Sequence, residues 1–275
     1  MKKAKHSNEL LDAHFNKLFA NNTLQKPLIF AFDEVDSTNT EAKLFAEGRP
    51  TDDKRVALFF TRTQRAGRGT RMRTFESPRD GGLYMSLLLY PNEDAFFATR
   101  ITMITAVVVC RVIGRLLRDN ATARIKWVND ITINDQKLAG ILTEARLDER
   151  GRTGYVIIGI GVNLTPSLHS DEVRKIMTSL AEHGVKISPE ELAALITEEF
   201  LLATKSKEYK FIDEYRRLSS VIGRQVNVIA ANESFSATVL EIADDGAIIV
   251  RREDGRKERL ISADVSIRAI TTTKG

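Results

Sequence analysis

The spacing of apolar residues in the first third of the chain predicts an alternation of helices and short strands. Apolar residues recur at helical spacing over residues 8–20, which predicts an amphipathic helix. Helix-capping residues at 36–41 precede a second helical pattern, residues 42–47. Three apolar segments have the length of strands: residues 28–32, 56–61 and 83–90.

The middle of the chain predicts one long buried helix and then a meander of strands. Residues 94–118 combine helical spacing with so many apolar positions that we expect central burial. Turn residues then separate four apolar strand segments: 124–127, 131–133, 137–145 and 155–162. Two or three helices fill residues 171–218. We therefore expect an α+β fold in which a mixed β-sheet packs against helices.

After Leu218 the pattern changes to short strands without helices between them. Five strand-like segments follow one another: 225–230, 234–242, 247–251, 257–261 and 265–269. This spacing predicts a small β-barrel of about fifty residues, with a domain boundary near residues 219–223. We expect three parts: an N-terminal helical extension (1–27), a large mixed-sheet domain (28–220) and a C-terminal domain (221–275).

Composition indicates a soluble protein of a reducing compartment. Apolar residues make up 43% of the chain and charged residues 28%, as in ordinary globular proteins. The one cysteine, Cys110, lies in an apolar run, which indicates a buried hydrophobe and excludes an internal disulfide. We expect a cytoplasmic protein without a membrane partner, because no run approaches the ~18 apolar residues of a membrane span. The basic N-terminus also lacks the apolar core of a secretory signal.

Positive charge is concentrated in one segment. Six arginines fall within eighteen residues: Arg62, Arg65, Arg68, Arg71, Arg73 and Arg79. Such a cluster predicts an anionic partner, which supplies either phosphates or carboxylates. Its centre is the arginine loop, residues 64–78, where glycines would expose backbone N–H groups beside the guanidinium groups. On its own the loop leaves three interpretations open: a solvated loop, a nucleic-acid site and a small-anion site.

Two later segments are equally ambiguous when each is taken alone. Lys126-Trp127-Val128-Asn129-Asp130 and Lys137-Leu138-Ala139-Gly140 bring two lysines, an amide and a carboxylate to the ends of predicted strands. Lysines in such places are usually solvated. Gly159-Ile160-Gly161-Val162-Asn163 is a strand whose glycines would allow close packing.

Together the segments form an ordered series that closely resembles the catalytic domain of biotin–protein ligases. The series also includes Ser37-Thr38-Asn39 and Gln64-Arg65-Ala66-Gly67-Arg68-Gly69. Near the C-terminus, Asp245-Gly246-Ala247 and Asp264-Val265-Ser266-Ile267-Arg268 are similar to that family's SH3-like barrel. The resemblance covers about residues 28–270 and implies a class II synthetase-like mixed sheet plus this barrel.

The resemblance also implies the activity and its partners. It implies an ATP-dependent ligase that forms biotinyl-5′-AMP, with Mg²⁺ accompanying the nucleotide. The biotin would then pass to a lysine of the apo biotin carboxyl carrier protein of acetyl-CoA carboxylase. Both steps build negative charge on oxygens, so fixed cations in a closed site are needed and a protein nucleophile is not. An exposed edge of the central sheet would allow a homodimer, which the sequence leaves open.

The implied site residues carry over position by position. Biotin contacts are implied for Ser37, Thr38, Asn39, Gln64, Gly67, Arg68, Gly69, Thr70, Lys137, Gly159 and Gly161. ATP contacts are implied for Arg71, Arg73, Lys126, Asn129, Lys137 and Asn163. Lys137 would hold the biotin carboxylate beside the α-phosphate, and Arg68 would close over the adenylate. Asp130 would either aid the later aminolysis or position Lys126. Scattered histidines and a single cysteine predict no protein metal site.

The arginine loop departs from the family pattern at three positions. Thr70 stands where an arginine is usual, Met72 replaces a glycine and Phe75 replaces a tryptophan. Outside the loop, Val128 stands in place of a proline. The arginine replaced by Thr70 contacts biotin and helps to retain the adenylate. We therefore expect a looser hold on biotinyl-AMP, unless Arg71 reaches in from the next position.

Two alternatives remain. A lipoate–protein ligase is related in fold, although the arginine loop and the C-terminal barrel favour biotin. A nucleic-acid binder would interleave exposed aromatic residues, and this region offers only Phe75 and Tyr84. About twenty-seven residues precede the first predicted strand, which is too few for the winged helix of some family members. We therefore expect no nucleic-acid partner.

Overall fold

The computed structural model describes most of the chain. It covers residues 8–20, 24–48, 55–70, 74–118, 121–166, 175–205, 211–230, 233–261 and the backbone of 266–269. The predicted ATP contacts Arg71 and Arg73 lie outside the described residues, as do Met72 and Asp264.

The helices and strands follow the predicted order. The helices are α1 (Glu9–Phe19), α2 (Thr38–Gly48), α3 (Phe97–Leu116), α4 (Pro189–Lys205) and α5 (Phe211–Leu218). The first seven strands are β1 (Leu28–Phe32), β2 (Ala57–Thr61), β3 (Gly82–Leu89), β4 (Ala123–Lys126), β5 (Asp130–Ile133), β6 (Gln136–Leu147) and β7 (Thr153–Asn163). The last five are β8 (Gln225–Ile229), β9 (Ser234–Ile242), β10 (Ile248–Arg252), β11 (Lys257–Leu260) and β12 (Ser266–Ala269).

Within the described residues the strands form two sheets. Seven strands make a mixed sheet in the order β1-β2-β3-β7-β6-β5-β4, in which β1 and β2 are parallel. Five strands make an antiparallel sheet in the order β11-β10-β9-β8-β12. Between β5 and β6, Asn134 and Asp135 both have positive φ, as a two-residue type I′ hairpin requires. The predicted α+β class with a small SH3-like C-terminal β-domain is confirmed.

One face of the mixed sheet forms the main hydrophobic core with α3. The middle of this helix is fully apolar and buried, and it includes Cys110, which is 2% exposed. Burial raises the pKa of the Cys110 thiol to about 12, so the thiol stays protonated, as the sequence predicted. By length and composition α3 could cross a membrane, since its most apolar 18-residue stretch has a mean hydropathy of 1.6. However, 61% of that stretch is buried within the fold.

The opposite face of the sheet is covered in part by α2. Phe45 from α2 packs against Phe30 and Phe59 of the first two strands, with ring centroids 4.7 and 5.6 Å apart. α2 begins at Thr38, four residues before the predicted helical run. The reason is tertiary: Thr38 and Asn39 are 3% exposed and contact the sheet through their polar groups.

The C-terminal sheet contacts the large one through a turn. The indole Nε1 of Trp127 donates to the backbone oxygen of Gly246 at 2.9 Å, and Met103 of α3 lies against the same glycine. Arg216 of α5 donates to the backbone oxygen of Ile242 and pairs with Asp244, both at 2.7 Å. The boundary near residues 219–223 stays a prediction.

Candidate active site

A row of facing residues crosses five strands on the face that carries α2. Tyr84 faces Gly161, Gly161 faces Gly140, Gly140 faces Asp130, and Asp130 faces Lys126. Facing partners project from the same side of a sheet. The two glycines in the middle of this row therefore leave a trough between Tyr84 and Asp130, which lets side chains or a ligand approach the backbone.

Side chains from three segments enter this trough. Each of three glycines is approached by one of them: Gly159 by Asn39, Gly161 by Phe75 and Gly140 by Lys137. A Cβ at Gly159 or at Gly161 would lie 2.4 Å from the approaching side chain, a separation too short for any other residue without displacement. At Gly159 and Gly161 a larger residue would therefore have to displace Asn39 or Phe75, whereas at Gly140 the end of Lys137 lies 3.1 Å away.

The trough encloses a cavity of about 50 Å³, which is room for a few water molecules. Its walls include all of the predicted biotin contacts except Gly67: Ser37, Thr38, Asn39, Gln64, Arg68, Gly69, Thr70, Lys137, Gly159 and Gly161. Asn129, a predicted ATP contact, also lines it. Gly67 instead lines a second, adjoining cavity of about 800 Å³.

Gln64 joins the arginine loop to the start of α2. Its Oε1 accepts from the backbone N–H of Thr38 at 2.9 Å and from the Thr38 hydroxyl at 3.3 Å. Its Nε2 donates to the hydroxyl of Ser77 at 2.9 Å. An amide nitrogen carries two hydrogens, so one N–H of Gln64, which lines the cavity, is left as a donor.

Two polar residues outside the predicted set, Ser86 and Glu144, support the cavity. The hydroxyl of Ser86 donates to Oδ1 of Asn39 at 2.6 Å and lies 2.7 Å from the hydroxyl of Thr38. Oε2 of Glu144 accepts from Nδ2 of Asn39 at 2.6 Å and from Arg68 at 3.2 Å. Glu144 could have been found from strand alternation, since it lies four residues after Gly140 and on the same face of β6.

Lys137 and Asp130 form an ion pair at one end of the cavity. Nζ of Lys137 lies 2.6 Å from Oδ1 of Asp130, and both side chains are partly buried. Lys126 faces Asp130 across β4 and β5, but among the described residues the ion pair of Asp130 is with Lys137. The structure thus places Asp130 as the partner of Lys137.

The loop before β5 is held from several sides. Nδ2 of Asn129 donates to the backbone oxygen of Ile141 at 2.6 Å, and the N–H of Ile141 donates back to the oxygen of Asn129 at 3.0 Å. The hydroxyl of Tyr215 donates to the backbone oxygen of Val128 at 2.9 Å. Burial raises the pKa of Tyr215, so this hydroxyl remains a donor. The loop therefore presents Asp130 from a fixed backbone.

The arginine cluster is largely neutralised within the chain. Each of its four described members has an acidic partner: Arg62 with Asp80, Arg65 with Asp36, Arg68 with Glu144 and Arg79 with Asp33. These arginines are therefore less free to attract an outside anion than the sequence suggested, because carboxylates from distant or adjacent segments fold back onto them.

Asn163 lines the second cavity, away from the glycine trough. Its Nδ2 donates to the backbone oxygen of Thr178 at 3.0 Å, which leaves its Oδ1 and one N–H with free capacity. Phe75 and Gln64 line both cavities and so stand between them. Of the four described ATP contacts, Asn129 and Lys137 line the first cavity, Asn163 lines the second, and Lys126 lines neither.

Comparison with known proteins agrees with this arrangement. The chain matches the profile of the Biotin/lipoate A/B protein ligase family over residues 31–163, and that of the Biotin protein ligase C terminal domain over residues 221–268. It is 31% identical over 246 residues to the bifunctional ligase/repressor BirA of Bacillus subtilis, covering 86% of this chain and 72% of that protein. It is 29% identical over 231 residues to the biotin–[acetyl-CoA-carboxylase] ligase of Paracoccus denitrificans, covering 81% and 94%.

A solved structure shares the fold. The biotin protein ligase from Aquifex aeolicus, in complex with biotin and ATP, superposes with a TM-score of 0.71 at 23% identity, covering 88% of this chain and 99% of that one. The two profiles together reach from the first strand to the last. With a relative 31% identical over most of both lengths, they show that this chain belongs to the biotin protein ligase family of enzymes.

Proposed function

We propose that this enzyme activates biotin with ATP to biotinyl-5′-AMP and transfers the biotin to a lysine of an apo biotin carboxyl carrier protein, in the cytoplasm. One observation carries the proposal: a single cavity is lined by uncharged donors and acceptors near Gly159 and by Lys137, the ion-pair partner of Asp130, at Gly140. Biotin has the matching halves, because its ureido ring is uncharged and its tail ends in a carboxylate.

The uncharged end suits a cyclic urea. A ureido group needs donors for its oxygen and acceptors for its two N–H groups. Gln64 has an N–H to give, and Asn39 has an acceptor oxygen. The hydroxyl of Ser37 can donate or accept, whereas that of Thr38 already donates to Gln64 and can only accept. The dithiolane ring of lipoate has no such groups, so it would leave these buried polar atoms unpaired, which is costly. The polar lining thus favours biotin over lipoate.

The charged end suits the first chemical step. In that step the biotin carboxylate approaches the α-phosphate of ATP, and two anions must be held together. Lys137 supplies a cation at a fixed point, and Asp130 keeps its ammonium group in place. Such preorganised charge is the main device by which enzymes stabilise oxyanions. A carboxylate oxygen bonds to the α-phosphorus as pyrophosphate leaves. The acceptor amine then attacks the carbonyl of the mixed anhydride, loses a proton and displaces AMP.

We place the nucleotide in the second cavity. Its volume of about 800 Å³ accommodates a nucleotide, and it adjoins the first cavity at Gln64 and Phe75. Asn163 offers a free amide oxygen there. Mg²⁺ would arrive with the phosphates, since the described residues contain no cluster of three His, Cys, Asp or Glu side chains. Arg71, Arg73 and Lys126 remain proposed phosphate contacts.

Biotin binding requires the first cavity to open. Its volume of about 50 Å³ does not hold a fused ring system, and the ring of Phe75 lies directly over Gly161. We propose that Phe75 and the described part of the arginine loop, with Arg68, move away and then close over the ligand. Closure would exclude water from the adenylate.

Transfer to a carrier domain tests the whole proposal. The chain would be incubated with biotin, ATP, Mg²⁺ and an apo carrier domain, and attached biotin would be detected with streptavidin. We expect labelling that requires ATP and is lost when the acceptor lysine is replaced by arginine. Equal labelling of the two acceptors, or none of either, would contradict specific transfer.

A further inference from the structure

We propose that Glu144 is a positioning residue of the ring-binding site. Its carboxylate fixes the side-chain amide of Asn39 in the one orientation that offers a hydrogen-bond acceptor to a ureido N–H. The identity of the ligand rests on the proposed function. Glu144 does not line the cavity. It would therefore affect specificity through Asn39, which does line it.

The chemistry of the neighbours determines which way the Asn39 amide faces. Oε2 of Glu144 lies 2.6 Å from one end of the amide, and the backbone oxygen of Leu142 lies 3.4 Å from the same atom. A carboxylate in an ion pair and a carbonyl oxygen can only accept hydrogen bonds. The Asn39 atom that faces them must therefore be the nitrogen, because an oxygen there would meet two other oxygens.

The oxygen of Asn39 then faces the floor of the trough. It accepts from the hydroxyl of Ser86 at 2.6 Å and lies directly over Gly159. Both N–H groups of Asn39 are engaged by Glu144 and Leu142. The remaining lone pair of the oxygen is the capacity left for a ligand in the cavity that Asn39 lines. Asn39 thus acts toward a ligand as an acceptor.

Gln64 offers the opposite polarity on the same wall. Its oxygen is engaged by Thr38 and one N–H by Ser77, so it presents a donor. A donor from Gln64 and an acceptor from Asn39 match the adjacent oxygen and N–H of a urea. Sites built to hydrogen-bond a substrate group reject analogues that lack it strongly, because buried partners are left unpaired.

The same oxygen of Glu144 also accepts from Arg68, but that contact is the weaker one. It is 3.2 Å long, and the two side chains are 45% and 38% exposed. Exposed ion pairs of this kind contribute little. The bond to Asn39 is shorter and its partner is buried, so we attribute the orienting effect to that bond.

The chain offers a matched control in Glu47. Glu47 of α2 forms an ion pair with Arg146 of β6 at 3.1 Å, two residues beyond Glu144 on the same strand. Both carboxylates therefore tether α2 to β6. Glu47 does not line the cavity, so Glu47→Ala removes a tether of the same kind without touching the orientation of Asn39.

The test measures biotin binding without ATP by calorimetry. We expect Glu144→Ala to weaken biotin binding roughly tenfold or more, as expected for a lost hydrogen bond to a charged group. Glu47→Ala should leave biotin binding unchanged. Affinities for biotin methylated on one or the other ureido nitrogen are measured as well. General damage to the fold would not change the difference between the two methylated ligands. In the unmodified chain, methylation of the ureido N–H that donates to Asn39 should lower the affinity strongly. In Glu144→Ala the same methylation should lower the affinity less.

A rescue pair keeps the test decisive if Glu144→Ala does not fold. Asn39→Asp removes the donors and sets two carboxylates together, so biotin binding should weaken by at least tenfold. Adding Glu144→Gln restores an amide N–H facing the new carboxylate and should recover most of the affinity. Failure of this recovery, or an undiminished methylation penalty in Glu144→Ala, would overturn the inference. If the unmodified chain bound no biotin, the proposed function itself would fail.

Discussion

Nζ of Lys137 lies 2.6 Å from Oδ1 of Asp130, and both groups stand over Gly140. The backbone of Lys137 is fixed as well: its N–H donates to Ile176 at 2.8 Å, and its oxygen accepts from Thr178 at 2.9 Å. The lysine is thus held both at its backbone and at its ammonium group. A cation held in this way needs little reorganisation when charge develops beside it.

Replacing Lys137 should greatly lower the rate of the first chemical step. Lys137→Met keeps much of the side chain's bulk but removes the cation, and we expect biotin-dependent ATP–pyrophosphate exchange to fall by about 10²–10³. Lys26→Met is the matched control, because Lys26 pairs with Asp12 on the surface. Exchange reduced equally in both variants, or in neither, would contradict the role of Lys137.

A methyl group at Gly159 should damage the ring site. A Cβ there would lie 2.4 Å from Oδ1 of Asn39, so Gly159→Ala must displace a buried amide. Overpacking of this kind costs about 1–3 kcal/mol of unfolding free energy. Biotin affinity should fall as well. The measurements are urea unfolding and calorimetry with biotin.

Gly114→Ala provides the comparison for that variant. Nothing lies within 4 Å of a Cβ at Gly114, which stands inside α3. Alanine is favoured over glycine in a helix by about 1 kcal/mol, so this variant should be slightly more stable and should bind biotin normally. A Gly159→Ala chain that behaved in the same way would show that the close approach of Asn39 does not matter.

With threonine at position 70, the enzyme should release more biotinyl-AMP than it would with arginine there. Thr70 lines the cavity and is exposed, so an arginine introduced there has room to reach the adenylate. We expect Thr70→Arg to lower the labelling of bulk albumin lysines in the presence of biotin and ATP, since less biotinyl-AMP escapes. Albumin labelling that stayed the same or rose would count against a looser hold in the natural chain.

Stability in acid should depend on Glu199. Burial raises the pKa of Glu199, but hydrogen bonds from Arg111 and Arg115 outweigh burial, and the net pKa lies below the usual 4.5. The unfolded chain therefore binds this proton more tightly than the folded chain. The stabilising contribution is present at neutral pH and is lost as the pH falls below 4.5 and through the folded pKa.

Glu199→Gln tests this dependence. The variant should lower the unfolding free energy at pH 7 by about 1–3 kcal/mol, since hydrogen bonds between charged groups are lost in a buried position. The difference from the unmodified chain should shrink at pH 3. Urea unfolding at both values measures it, and an equal difference at the two would refute the charged contribution.

The sequence predicted the elements whose apolar spacing reports burial. The apolar positions of β7 and of the middle of α3 are buried. Their spacing in the sequence therefore predicts these two elements. α3 starts at Phe97 rather than at residue 94, because the side chain of Asp94 accepts from the N–H of Phe96 and forms a turn there. The apolar spacing does not predict the first turn of α2, for another reason. Its buried residues are polar and are stabilised by distant partners.

The arrangement of the candidate site depended on strand register, which the chain does not display locally. The row from Tyr84 to Lys126 exists because five strands pair with one particular alignment, and a slip of one residue would turn every side chain to the other face. The motifs supplied the residue types. They could not indicate that Glu144 meets Asn39, which lies 105 residues away in sequence.

The central claim is that this chain activates biotin with ATP. ATP–pyrophosphate exchange measures that step without any acceptor protein, with the unmodified chain and either biotin or lipoate as the acid. We predict exchange that depends on biotin and is far weaker with lipoate. Exchange with lipoate alone, or with neither acid, would contradict the account.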